Sequence, residues 1–367
     1  MTTDAALQRI VDQVRAAHAA GTALDIRGGN SKAFYGGAQR GAVLDVTPLA
    51  GISSYEPSEL VVTVRAGTPL AELEAALAEC GQCLPFEPPR FASGSASPGT
   101  VGGMVAAGMS GPARASAGSV RDHVLGAHML NGRGELLHFG GTVMKNVAGY
   151  DVSRLLAGSL GVLGVICEVS LKVLPQPVAT ATLRFEMDQA AALRQLNVWG
   201  GQPLPVSASA CWEGALVLRL SGAAAAVESA QLRLGGEAIA PALAAHFWSG
   251  LRDQSDEFFV GAMNAVQRGA ALWRLSLPQT APPLALSGEQ LVEWGGAQRW
   301  LCTSAPAQAP RDAAAAAGGH ATLFRANDKS PGVFAPLAPP LDRIHRELKK
   351  SFDPAGIFNR GRLYPEL

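Results

Sequence analysis

The chain has 367 residues and no excess of either charge, with 30 Lys and Arg against 30 Asp and Glu. That balance removes the positive field on which nucleic-acid and anionic-membrane binding rest. Cysteines are few and odd in number, five in all, which excludes a secreted disulfide scaffold. Cys80 and Cys83 form a CxxC, but Cys80 falls at the end of an expected helix, where the dipole opposes a thiolate. Cys167, Cys211 and Cys302 are too scattered for a zinc or iron–sulfur set. The seven histidines show no metal spacing, and His123, His128 and His138, around an expected hairpin, read as structural. No G-x-G-x-x-G joins a strand to a helix; Gly158, Gly161 and Gly164 are wrongly spaced for one. Gly-Lys, HExxH and G-x-S-x-G are missing too, so a P-loop, a zincin and a nucleophile elbow drop out. Long apolar runs are also lacking. Residues 91–113 carry no charge, yet Gly, Ser and Pro stand where a membrane span needs Leu, Ile and Phe. The N-terminal stretch is charged and amphipathic rather than a signal peptide. The expectation is a cytoplasmic protein that reaches the inner membrane, if at all, through partner subunits.

Small residues are what the chain has in quantity. Residues 95–118 are almost entirely Gly, Ala, Ser and Pro, a composition that builds neither an ordinary helix nor a strand. Such a stretch lets backbone amides approach a ligand, and Gly permits the turns that aim several N–H groups at one spot. A diphosphate is the usual object of that geometry. A second run, Arg27-Gly28-Gly29-Asn30-Ser31-Lys32, follows a strand-like segment at 24–26. Two such loops in one half point to a large phosphate-bearing cofactor between them.

The periodicity predicts a first helix with Leu7, Ile10, Val11 and Val14 on one face, ending at Gly21. Strands are expected at 42–46 and 60–66, then a helix over 68–80 with Thr68 as its cap. Residues 84–89 read as a rigid extended segment. A hairpin is expected around Asn131-Gly132 with a loop longer than two residues, and a half-buried strand over 165–173. The Pro-rich point at 174–177 marks a domain boundary. Beyond it, strands at 180–187, 215–220, 272–277 and 299–302 alternate with Ala-rich helices, an α+β pattern with an antiparallel sheet. Residues 304–319 read as a loose connection with a short helix, and a last helix uses Leu341, Ile344 and Leu348.

Taken in order, RGGNSK (27–32), VRAGTPLAELEAAL (64–77), SPGTVGGMVAAGMSGP (97–112), GSVRDHVLGAHMLNGRGE (118–135), KNVAGYDVSRLLAGSLGVLGVICEVSLKVLP (145–175) and FDPAGIFNRGR (352–362) resemble one family. It is the FAD-binding domain of the vanillyl-alcohol-oxidase or PCMH type, and within it the E-subunit family of bacterial glycolate oxidases. The resemblance covers 24–175 and 341–363; the middle is similar only in length and position. It implies a two-subdomain PCMH-type FAD-binding domain over 1–177, a smaller α+β cap domain over 178–335, and a C-terminal segment, 336–367, returning to the FAD domain.

The same resemblance implies that Arg27, Gly28, Gly29, Asn30, Ser31 and Lys32 form the first pyrophosphate loop. Gly99, Thr100, Val101, Gly102 and Gly103, with Ala106, Ala107 and Gly108, form the second. Gly118, Arg121 and Asp122 fall toward the adenosine side, Val165 and Ile166 meet the adenine or ribose, and Asn359 and Arg362 return toward the cofactor. Lys145 to Asp151 match a segment beside the flavin. Relatives that attach FAD covalently use a His in the first loop or a Cys near the second; Asn30 and Ser31 stand here, which implies non-covalent FAD. Related 2-hydroxyacid dehydrogenases carry GSEGTLG and an HAGDGN-like motif. This chain has Leu160 in place of the acid and no HAGDGN, so no motif gathers a catalytic base and a carboxylate-binding cation. The implied function is that of an FAD-bearing subunit in a complex that oxidises glycolate, a 2-hydroxy acid, to glyoxylate. Its implied partners are a D-type flavoprotein subunit and an F-type iron–sulfur subunit, and its implied role is to relay electrons or support the D-type subunit. Open beside it are a self-sufficient flavin oxidoreductase for another hydroxy acid or alcohol, a non-catalytic scaffold, and a nicotinamide-dependent reductase.

Overall fold

The computed structural model describes residues 4–91, 99–142 and 151–367. The chain forms two compact units. The first comprises Met1–Met109, Ser119–Pro175 and Pro336–Leu367, and the second Ser110–Gly118 and Gln176–Ala335.

The first unit opens with α1 (Ala5–Ala20), started by the Asp4 carboxylate, which accepts from the Ala6 and Leu7 amides, and ended by Gly21 at φ 66. Ile10, Val11, Val14 and Ala17 form its buried face. They pack on Leu24 and Leu44 from the parallel pair β1 (Leu24–Arg27) and β2 (Ala42–Asp45), on Val46 just beyond β2, and on Ile357 and Phe358. Each such aliphatic side chain stabilises the fold by roughly 1.5–3 kcal/mol on burial. Next come β3 (Ile52–Glu56), β4 (Val61–Arg65), α2 (Leu70–Glu79), the two-residue β5 (Gln82–Cys83) and α3 (Val101–Ala107). After α3 the chain leaves for the second unit, where it forms α4 (Arg114–Ala117), and returns with α5 (Val120–His123). Strands β6 (Val124–Leu130), β7 (Leu136–Gly140) and β8 (Val165–Lys172) then complete a five-stranded sheet, and β9 (Leu174–Pro175) pairs with β5. The sheet order is β3–β4–β8–β6–β7, with every pair antiparallel. One core lies where Val62, Val64, Val169 and Leu171 of the sheet meet Leu70, Leu73 and Leu77 of α2 and Val101, Met104 and Val105 of α3.

The second unit is built on β10 (Ala179–Glu186), β11 (Val206–Trp212), β12 (Ala215–Gly222), β13 (Glu237–Ala238), β14 (Ala271–Ser276), β15 (Glu289–Glu293), β16 (Gln298–Thr303) and β17 (His320–Arg325). They form one antiparallel sheet in the order β13–β10–β12–β11–β15–β16–β14–β17. Helices α6 (Gln189–Gly200), α7 (Ala224–Leu234), α8 (Pro241–Asp253), α9 (Glu257–Gln267) and α10 (Gln308–Ala316) accompany it. Ser110–Gly118 is fastened inside this unit. Trp294 Nε1 donates to the Gly111 carbonyl at 3.0 Å, the Arg114 guanidinium lies 4.7 Å from the Trp294 ring, and Ser116 Oγ donates to the Ser207 carbonyl at 2.9 Å. The chain closes in the first unit with α11 (Pro339–Phe352).

Several expectations are corrected. The small-residue run is helical over Val101–Ala107, with Thr100 as N-cap and Gly108 at φ 64 as C-cap. Its glycines serve packing, because a Cβ on Gly102 would stand 2.6 Å from Ala66 Cβ. Thr68 does not cap α2; its hydroxyl donates to the Arg65 and Gly51 carbonyls and accepts from the Gly51 amide, while the Leu70 amide finds the Gly99 carbonyl. Residues 84–87 make a turn closed by Glu87 N to Leu84 O at 3.1 Å rather than an extended arm. Strand β8 is central in its sheet, so it is buried on both faces except at Glu168 and Lys172. Strands β3, β11, β15 and β17 and the two-residue β5, β9 and β13 are not among the strands expected from the sequence. Among the described residues, no helix is long and apolar enough to cross a membrane.

Candidate functional site

Around the end of β1 the first unit holds a cleft that is partly open to solvent. Its walls are the loop 28–33, one side of α3, the loop 160–164 with Ile166, and Asn359 and Arg362 of the C-terminal tail.

The loop after β1 turns sharply, with Asn30 at φ 54 and the Ala33 amide donating to the Asn30 carbonyl at 3.1 Å. The amides of Gly28, Gly29, Asn30 and Ser31 donate to no acceptor among the described residues. Four successive donors without a protein acceptor, on residues that line a cleft, are available to an anionic ligand. No side chain fits at Gly28, where a Cβ would overlap Thr100 Oγ1. The two glycine loops therefore touch. Lys32 reaches between them: its Nζ is 5.7 Å from the Phe91 ring centre, and a Cβ on Gly99 would lie 3.5 Å from it.

The wall formed by α3 differs from the sequence expectation. The Val101 amide donates to the Thr68 carbonyl, the Gly102 amide to the Ala66 carbonyl and the Gly103 amide to Thr100 Oγ1, at 3.0, 2.7 and 3.2 Å. These first-turn donors are spent within the protein. Instead α3 offers a smooth surface: Thr100, Gly102, Gly103, Ala106 and Ala107 line the cleft, and a Cβ at Gly103 would meet only Thr100 Oγ1 within 4 Å.

Beneath the first loop lies Asp25, 2 % exposed. Arg27 binds it through Nε at 2.7 Å, and Gln39 Nε2 donates to Asp25 at 3.3 Å and to Asn30 Oδ1 at 3.0 Å. Arg27 is thus neutralised and braces the loop. Asn359 joins two walls, accepting from the Ile26 amide at 2.8 Å and donating through Nδ2 to the Leu160 carbonyl at 2.6 Å. The Arg362 guanidinium donates to the carbonyls of Ala33, Tyr35 and Gly37, holding the strap 33–37 from behind. Burial lowers its pKa, and the Asp25 charge offsets part of that shift.

Of the expected site residues, Arg27, Gly28, Gly29, Asn30, Ser31, Lys32, Thr100, Gly102, Gly103, Ala106, Ala107, Ile166, Asn359 and Arg362 line this cleft. Gly99, Val101, Gly108, Gly118, Arg121, Asp122 and Val165 are not among its lining residues. Gly99 borders Ser31 and Lys32, Val101 is core, and Gly108 ends α3 against Gly158. Gly118 belongs to the second unit. Arg121 is exposed on α5, and Asp122 spends its carboxylate on the Ser119 amide and hydroxyl as a capping box. Val165 points into the core under α1, since neighbouring strand residues face opposite ways. Lys145 to Tyr150 lie outside the described residues. Sequence reasoning missed Asp25, Ile26, Ala33, Gln39, Val46, Leu160, Gly161 and Gly164. An acid alternating with Arg27 in a short apolar strand was the available signal for Asp25.

A separate set of charged groups lies on the second unit's sheet. Glu293, 3 % exposed, accepts from Trp300 Nε1 at 2.6 Å and Gln298 Nε2 at 3.0 Å. The register places Ala210 beside Glu293, Glu293 beside Gln298 and Gln298 beside Ser276. Cross-strand partners share a face and side chains alternate, so Arg274 lies on the Glu293 face. Arg219, two positions from the Val217 that pairs with Ala210, lies there too. Sequence spacing could not show this, because the three residues lie on three different strands, β12, β14 and β15. Burial and the Glu87 charge push the Cys83 thiol up, away from the lowered pKa of an attacking cysteine.

Comparison with known proteins agrees with this geometry. A family model described as FAD binding domain matches residues 5–140. Glycolate oxidase subunit GlcE of Escherichia coli (strain K12) is 48 % identical over 360 residues, which span 98 % of each chain. D-lactate dehydrogenase of Anaerostipes hadrus is 33 % identical over 39 % of this chain and 29 % of its own. Glycolate oxidase subunit GlcD of Bacillus subtilis (strain 168) is 29 % identical over 46 % of this chain and 35 % of its own. Among solved structures, an alkyldihydroxyacetonephosphate synthase superposes with a TM-score of 0.65 at 14 % identity, covering 96 % of this chain and 75 % of that one. Fold and matched domain define an FAD-dependent oxidoreductase of the PCMH type. Within that class, the chain belongs to the GlcE family of glycolate oxidase subunits.

Proposed function

We propose that this chain is the FAD-bearing subunit of a glycolate oxidase complex, assembled with a D-type flavoprotein subunit and an F-type iron–sulfur subunit. The observation that carries the reading is the row of amides at Gly28, Gly29, Asn30 and Ser31 that find no acceptor among the described residues, beside Lys32 in a cleft that the Gly/Ala side of α3 also lines. The residues present fit FAD. Those amides and Lys32 hold the diphosphate, Gly103, Ala106 and Ala107 leave it room, and Leu160 and Ile166 supply apolar lining. Bound FAD supplies a two-electron acceptor for a CH–OH donor. Holding is non-covalent in this reading, since none of the described residues that line the cleft is His or Cys.

Oxidation of a hydroxy acid also needs a base and a carboxylate-binding cation. Among the described residues, Asp25 is the one carboxylate lining the cleft, and Arg27 and Gln39 occupy it; Arg362 is committed to backbone carbonyls. This supports a subunit that relays electrons or assists the D-type partner. Anaerobic glycolate should therefore leave the flavin of the isolated chain oxidised and bleach it once the partner subunits are added. Bleaching of the isolated chain would favour the second reading, a self-sufficient oxidoreductase.

A further inference from the structure

Lys349 sits in the last turn of α11 and is 8 % exposed. A buried ammonium is costly unless its protons have acceptors. Here Nζ donates to Asp353 Oδ2 at 2.7 Å, to the Val162 carbonyl at 2.8 Å and to the Phe358 carbonyl at 2.9 Å. Asp353 is itself buried and accepts from the Ile357 and Phe358 amides at 3.0 and 2.8 Å.

Those two carbonyls are informative. Val162 lies in the loop 160–164 that forms one wall of the cleft, and Phe358 immediately precedes Asn359, which closes another. Lys349 touches neither the cleft nor its lining residues by hydrogen bond, yet it ties together the two segments that Asn359 bridges. Stability alone does not call for this arrangement, because a well-packed apolar side chain commonly replaces a buried ion pair without loss. An apolar chain could fill the volume but could not fix two carbonyls from segments 187 and 9 positions away.

We propose that Lys349 is a positioning residue for the cofactor cleft, setting the separation of the C-terminal tail and the loop 160–164 through the Phe358 and Val162 carbonyls. The inference rests on the reading of the cleft as an FAD site. Lys349→Met and Asn359→Ala, singly and together in the full chain, test it by FAD titration of the apoprotein followed by flavin fluorescence. Lys349→Met should weaken FAD binding at least 10-fold and alter the visible circular dichroism of the flavin that still binds. In the Asn359→Ala background the same substitution should cost less than 2-fold, because the residue it acts through is gone. Should Lys349→Met fail to fold, Asp353→Asn keeps the side-chain shape and a hydrogen-bond acceptor and should weaken binding several-fold, again only when Asn359 is present. Wild-type affinity in the single variants, or losses that multiply in the double variant, would overturn the proposal. Absence of FAD binding by the unsubstituted chain would overturn the cleft reading and this inference together.

Discussion

At Gly28 the volume of a side chain is already taken by Thr100 Oγ1, with Thr100 Cβ 3.3 Å from the same point. Gly28→Ala should therefore push the first loop off α3 and release FAD. Thr100→Ala alone removes the N-cap of α3 and should cost about 1 kcal/mol. Added to Gly28→Ala, it clears the overlap, so the double variant should regain part of the lost affinity. Equilibrium dialysis against FAD measures this; a double variant no better than Gly28→Ala would show that crowding is not the cause. Arg362 acts from behind the same loop. Arg362→Ala strands the carbonyls of Ala33, Tyr35 and Gly37 and should destabilise the chain by about 2–4 kcal/mol in urea unfolding. At this scale the glycines and Lys32 were legible because they form a contiguous run. Gln39, Leu160 and Gly161 were not, since they reach the cleft by tertiary folding with no local signal.

Among the elements, α1 could be read in full, because Asp4, a 3.6-residue apolar stripe and Gly21 all agree. Helix α3 could not be read from its composition, although Thr100 and Gly108 mark its ends, because packing on Ala66 and Gly158 overrides the low helix propensity of Gly102 and Gly103. Strand β11, VSASACW, could not be read because Ser and Ala fill it in place of the β-branched alternation that marks a strand. The hairpin of β6 and β7 carries a pH prediction. Burial, then the neighbouring charge of His138, lowers the pKa of His128, and Glu168 at 3.1 Å offsets part of this. Below about pH 6.5 the unfolded chain gains a proton there that the folded chain resists. Stability should fall as the pH drops from that point toward the folded pKa of His128, and His128→Gln should flatten the fall. Melting temperatures between about pH 5 and 7 read it; equal slopes in both proteins would contradict the assignment.

For the molecule as a whole, two units of α+β type rest on sheets that differ in what they do. The first unit's glycine loops, helix α3 and C-terminal tail build the cleft, and the second unit's sheet collects Glu293, Arg219 and Arg274 on one face. The fold class was legible because ordered motifs covered the first unit. The long antiparallel sheet of the second was read only in part, since register across eight strands leaves little trace in spacing. Because FAD binds the folded chain alone, saturation at about 100 times the dissociation constant should add about 2.7 kcal/mol of stability. A melting temperature that does not rise with FAD would contradict that. The most direct measurement is the visible spectrum of the purified chain, recorded before denaturation and again on the filtrate and the retained protein afterwards. The account predicts one flavin per chain that passes wholly into the filtrate. A chain without flavin that takes up none when it is added, or flavin that stays on the denatured protein, would contradict it.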